Sequence, residues 1–205
     1  MLKVGLTGGI ACGKTTVASM LKARGAHVIF ADTIAHKLMS PGETVYQAVV
    51  AAFGKQILND DGTISRPKLA EAAFPNRVQE LNELVHPAVV AYQNRWMEDV
   101  ARHDPHGIAV VEAALIFEAG AEKHFDKVIT VRCDIEHKAA RFAERQHIPR
   151  PDAEREVAQR MAAQIPDDEK AAKSDYVIDN SGTREDLERL VDSVWQELRN
   201  ASSRV

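Results

Sequence analysis

The sequence reads as an α/β fold, a parallel five-stranded sheet flanked by helices, with two helical excursions. Three observations lead there. Short apolar runs recur without polar alternation, the pattern of strands buried on both faces. Helical stretches separate them, as the crossovers of a parallel sheet require. A glycine-rich loop joins the first apolar run to the first helical one. That first run covers residues 2–6 and stops at Thr7-Gly8-Gly9. Residues 13–24 follow as a helix, with Val17, Met20 and Leu21 at i, i+3, i+4 and Gly25 as the stop. Residues 27–30, 108–117, 127–131 and 176–178 are predicted as strands two to five, and residues 184–199 as a closing helix. Residues 41–104 break the rhythm with helical patterns and no buried strand. Residues 136–164 form a second helical excursion carrying Lys138, Arg141, Arg145, Arg150, Arg155 and Arg160. The expected organisation is one domain: a core of residues 1–40, 105–135 and 165–205, a subdomain at 41–104 and a lid at 136–164.

Composition sets the outer bounds. Lys and Arg number 26 and Asp and Glu 30, a net charge of −4, in a chain of 205 residues that is 45% hydrophobic. There is enough apolar material for a core, which argues against disorder. The acidic balance disfavours a general nucleic-acid binder. No apolar run approaches the ~20 residues of a membrane span. The residues before the glycine loop leave no room for a signal peptide. Cys12 and Cys133 give neither a disulfide framework nor metal-ligand spacing. The expectation is a cytoplasmic protein, a monomer or weak homo-oligomer, with no nucleic-acid or membrane partner.

The strongest chemical signal is Gly8-Gly9-Ile10-Ala11-Cys12-Gly13-Lys14-Thr15, which fits G-x-x-x-x-G-K-[ST] without a mismatch. The glycines let the backbone turn sharply and approach phosphate. Successive N–H groups then form an anion nest at a helix N-terminus. Gly9, Ala11, Cys12, Gly13, Lys14, Thr15 and Thr16 are the expected nucleotide contacts. Lys14 would place its charge on the β- and γ-phosphates, and the Thr15 hydroxyl is a candidate Mg²⁺ ligand. The motif predicts a nucleoside triphosphate without naming the reaction. The [NT]-K-x-D base-reading sequence of regulatory GTPases is missing. A short chain with two helical excursions then reads as a small-molecule kinase, one excursion holding the acceptor and the Arg-rich one closing on the nucleotide.

Other residues admit two readings each. Asp32 follows the second strand, where a carboxylate could take the proton of an attacking hydroxyl. It could equally cap a helix starting at Thr33. Glu112 interrupts the apolar third strand; it either orients Mg²⁺ or is a satisfied buried carboxylate. Lys138, Arg141 and Arg145 fall at i, i+3, i+7 on one helix face. They either stabilise a phosphoryl-transfer transition state or form a solvated face. His86-Pro87 reads as a helix end or turn. Cys12 reads as a small filler, with a redox role as the alternative.

Taken in order, the motifs resemble the dephospho-coenzyme A kinase family across nearly the whole chain. The likeness rests on Leu6-Thr7-Gly8-Gly9-Ile10, Ala31-Asp32-x-Ile34-Ala35, Leu84-Val85-His86-Pro87 and Glu112-Ala113-Ala114-Leu115-Ile116-Phe117-Glu118. Arg141-x-x-x-Arg145, Arg160-Met161-Ala162-Ala163-Gln164 and Asp175-Tyr176-Val177-Ile178-Asp179-Asn180-x-Gly182 complete it. The resemblance implies transfer of the γ-phosphoryl of ATP, with Mg²⁺, to the ribose 3′-hydroxyl of dephospho-CoA, the last step of CoA synthesis. It implies Asp32 as base, with Lys14 and Arg141 as the other catalytic groups. Arg145 and Asn180 join the nucleotide contacts. Thr7, Asp32, His86 and Leu115 become substrate contacts, and Glu112 a metal-site residue, directly or through water. The chain departs from the family's usual residues at Ala11-Cys12 (Gly-Ser), Phe30 (Asp), His36 (Arg), Glu112 (Asp) and Ala114 (Pro).

Overall fold

Five strands, β1 (Leu2–Gly8), β2 (His27–Phe30), β3 (Ile108–Glu112), β4 (Lys127–Arg132) and β5 (Tyr176–Asp179), form one sheet. Their order is β2-β3-β1-β4-β5 in the computed structural model, which describes residues 1–203. Residues 204 and 205 of the expected core lie outside the described residues. β1 runs parallel to β3 on one side and to β4 on the other, and β4 runs parallel to β5. Val4 and Leu6 are fully buried, as are Val110, Val111, Ile129 and Val131. Unalternated apolar strands are what a sheet covered on both faces needs.

The chain divides into two compact units, Met1–Ile29 with Asp99–Val205, and Phe30–Glu98. The first holds α1 (Lys14–Ala23), α6 (Ile135–Gln146), α7 (Arg150–Ala162), α8 (Asp167–Ala172) and α9 (Arg184–Ser202). In α6, the Asp134 side chain accepts from the His137 N–H, and a Thr183–Asp186 capping box starts α9. Such caps satisfy the donors a helix leaves open at its first turn. The hydrogen bonds from His137 hold the Asp134 carboxyl below the usual carboxylate range. α6 and α7 pack through Phe142, Ala153 and Val157, and Ile10 of the glycine loop joins that cluster.

The second unit holds α2 (Ala31–Leu38), α3 (Thr44–Phe53), α4 (Arg66–Ala73) and most of α5 (Val78–His103). Val49, Phe53, Ile57 and Leu69 are buried. Arg77 stacks over the Phe53 ring at 4.2 Å and also bonds Glu80 and the Ala52 carbonyl.

Two expectations are corrected. The third strand ends at Glu112, not at residue 117. After the Ala113 N–H bonds the Leu6 carbonyl, the chain closes into turns, with Ala119 bonding Leu115 and Ala121 bonding Ile116. Ile116 and Phe117 are buried inside those turns, which gave the segment a strand's composition. His86-Pro87 ends nothing: α5 runs through it. Both residues are exposed, as is Glu83, whose carbonyl loses the helical N–H that Pro87 lacks. In the sheet β3 lies between β1 and β2.

Candidate active site

The glycine loop leaves the central strand of the sheet at its carboxyl end, where open α/β sheets bind ligands. Gly8 has φ 143°, and a methyl group there would stand 2.0 Å from the Val131 carbonyl oxygen. Gly13 has φ 92° and precedes the first residue of α1, Lys14. A methyl there would stand 2.3 Å from Asn180 Nδ2. Both glycines are thus fixed by close backbone approach as well as by φ. Lys14 Nζ donates to the carbonyls of Gly8 at 3.0 Å and Gly9 at 2.9 Å, which holds the ammonium at the loop. The first turn of α1 contains no acidic residue, so its positive end is unopposed from within the helix. Thr15 and Thr16 are exposed in that turn.

Ala11 occupies the left-handed region with φ 55°. The position is free in the motif but not in the backbone, since a Cβ there is strained. Ala11→Gly is therefore expected to stabilise the fold by about 0.5–1 kcal/mol, relieved strain outweighing the added freedom of the unfolded chain. Thermal unfolding checks this: the melting temperature should rise by about 1–4 °C.

Groups far along the chain hold the loop from behind. Asn180, buried just past β5, donates from Nδ2 to the Cys12 carbonyl at 2.8 Å. Arg141 of α6 donates from Nη2 to the Asn180 carbonyl at 2.9 Å, while its buried Nη1 has no hydrogen-bond partner among the described residues. Lys138 Nζ, one turn earlier in α6, lies 2.6 Å from Asp167 Oδ2. Burial alone would lower the Lys138 ammonium, but the Asp167 hydrogen bond and nearby negative charge raise it above its ordinary range. Cys12 is fully buried; its hydrogen bond with Cys133, reinforced by burial, pushes its thiol well up. Cys12 therefore stays protonated and fills space. The same bond, helped by Arg141 and Lys138 against the effect of burial, lowers the Cys133 thiol.

The structure sorts the expected residues. The loop residues, Arg141 and Asn180 come together in the first unit. Thr7, Glu112 and Leu115 belong to that unit too. The Thr7 hydroxyl, fully buried, donates to the Ala114 carbonyl at 3.1 Å. Glu112 is half-buried at the end of β3, in register with Leu6 of β1. Leu115 is exposed in the turns after β3. Arg145 is exposed, its guanidinium 5.5 Å from the Phe142 ring centre. Asp32 and His86 belong to the second unit and are exposed. Asp32 is not a cap: Phe30 precedes α2 and Asp32 lies in its first turn. A charge there favours the helix dipole. Lys138 does not share a solvated face with Arg141 and Arg145, since only 3% of its side chain is exposed.

Sequence reasoning missed Asp167 and Lys170. Asp167 reads in the sequence as one of three acids opening a short helix. Lys170, wholly buried, pairs with Glu118 at 2.7 Å. Glu118 Oε1 also accepts from the Ile165 N–H at 3.0 Å. The contact of the Asn180 amide with the loop spans 168 residues and has no local signal.

The comparisons with known proteins follow the same lines. The family described as Dephospho-CoA kinase matches residues 2–186. A relative named Dephospho-CoA kinase from Geobacter metallireducens is 43% identical over 199 residues, 96% of each chain. Among solved structures, TT1252 from Thermus thermophilus superposes with a TM-score of 0.78 at 31% identity, covering 96% of this chain and 97% of that one. Dephospho-CoA kinase from Campylobacter jejuni gives 0.69 at 25% identity, covering 97% and 98%.

Proposed function

The chain belongs to the dephospho-CoA kinase family, and on that premise we propose that it transfers the γ-phosphoryl of ATP to the ribose 3′-hydroxyl of dephospho-CoA. The observation that carries this reading is the phosphate loop backed by Arg141. Its buried Nη1 has no hydrogen-bond partner among the described residues, and a buried guanidinium donor is costly unless a ligand oxygen meets it.

In this mechanism the amides of residues 9–16 and Lys14 bind the triphosphate. Asn180 holds the loop backbone in the shape that aims those amides. Arg141 and Arg145 neutralise charge on the transferring group as α6 and α7 act as a lid. Asp32 orients the 3′-hydroxyl and takes its proton. In a loose transition state such positioning matters more than basicity. Residues 41–104 are the segment proposed to hold the CoA-type acceptor, and the exposed His86 and Leu115 are its proposed contacts. Lid closure excludes water and so limits hydrolysis of ATP.

Mg²⁺ fits the donor set. Among the described residues no group of three or more His, Cys, Asp or Glu side chains forms a metal cage. Mg²⁺ seldom uses one; it keeps several waters and binds through one or two side chains and the substrate's phosphates. Thr15 would supply a direct oxygen and Glu112 a carboxylate that orients a bound water. When bound, the ion neutralises charge on the β- and γ-oxygens. No helix among the described residues is long and apolar enough to cross a membrane, in keeping with small soluble substrates.

The test is an acceptor panel with ATP. Transfer to dephospho-CoA and not to nucleoside monophosphates is expected. Transfer to a monophosphate with none to dephospho-CoA would overturn the reading.

A further inference from the structure

Behind the phosphate loop sits a carboxylate that the nucleotide chemistry does not ask for. Asp167, at the start of α8, packs against the loop backbone: a methyl on Gly9 would stand 2.5 Å from its Oδ1. Its Oδ2 lies 3.7 Å from Cys12 Sγ. A negative charge so close to an anion nest opposes phosphate binding, and the partly buried setting screens it little. Only 17% of the Asp167 side chain is exposed. Lys138 answers it from α6 at 2.6 Å, itself almost wholly buried. Lys138 Nζ also lies 3.8 Å from Met161 Sδ of α7. One ion pair thus joins the loop, both lid helices and α8.

We propose that Lys138 is a positioning residue for nucleotide binding: it neutralises the Asp167 carboxylate behind the phosphate loop and ties that loop to the base of the lid. The proposal rests on the loop being the ATP site. It makes a prediction about sign that a merely structural ion pair would not. A structural pair loses stability whichever partner is removed, and the two losses push binding the same way. An electrostatic pair gives opposite shifts. Without Lys138 an uncompensated anion faces the phosphates; without Asp167 an uncompensated cation does.

The experiment compares Lys138→Met, Asp167→Asn and the double variant by calorimetric titration with Mg²⁺ and ATP, alongside melting temperatures. Lys138→Met should raise the Kd for ATP at least about tenfold. Asp167→Asn should lower it. The double variant should return to within about threefold of the parent. Shifts in the same direction for both single variants, or a Lys138→Met Kd within twofold of the parent, would overturn the proposal. If Lys138→Met does not fold, Asp167→Asn decides: tighter ATP binding supports the proposal, weaker or equal binding refutes it. Failure of the parent protein to bind ATP is a separate outcome, which removes the nucleotide reading and this inference with it.

Discussion

Asp32→Asn is expected to lower kcat by about 10²- to 10⁴-fold, the range that one positioned general base supplies. Affinity for ATP should stay near that of the parent, because Asp32 belongs to neither the loop nor the lid. Asn keeps the shape and one acceptor oxygen but cannot take a proton. The melting temperature should change little: Asp32 is exposed in the first turn of α2, where its contribution is a dipole interaction of about 0.3–1 kcal/mol. Steady-state kinetics with both substrates varied check this. Near-parental turnover would remove Asp32 as the base.

Lys14→Ala has the second large effect, and its signature differs. The ammonium lies against the Gly8 and Gly9 carbonyls, beside the amides that cradle phosphate. In the proposed mechanism its charge would meet the β- and γ-oxygens in the ground state and more strongly as charge moves in transfer. Both the KM for ATP and kcat should suffer, with kcat/KM falling about 10³-fold. The KM for dephospho-CoA should be nearly unaffected. A change confined to kcat would mean that Lys14 does not bind the ground-state triphosphate.

Much of this was legible in the sequence because the signals are local. The run Gly8 to Thr15 announces its own shape, since only glycines tolerate Gly8's approach to Val131 and Gly13's to Asn180. Strand two was legible to the residue, His27–Phe30, because glycine and a change of period bound it. The misreadings share a physical cause: apolar content does not distinguish buried turns from strands. Ile116 and Phe117 are as buried as strand residues, yet they sit in turns. Pro87 looked like a stop, yet α5 runs through it, and Glu83, whose carbonyl loses the helical N–H that Pro87 lacks, is exposed.

The support of the site was not legible because it is long-range. Asn180 reaches Cys12 across 168 residues and Lys138 reaches Asp167 across 29. No spacing rule links them. Periodicity put Lys138 on the same helical face as Arg141 and Arg145. Burial then separated them, turning the first into an internal ion pair and leaving the last in solvent. The roles of Asp32 and His86 rest on the resemblance to the dephospho-CoA kinase family, and kinetics must carry them.

The central claim is that ATP turnover here is coupled to one acceptor. Release of ADP, followed in the presence and absence of dephospho-CoA, tests it most directly. The account predicts rapid release with the acceptor, one CoA formed per ADP, and only slow hydrolysis without it. Equal ADP release with and without dephospho-CoA would contradict it.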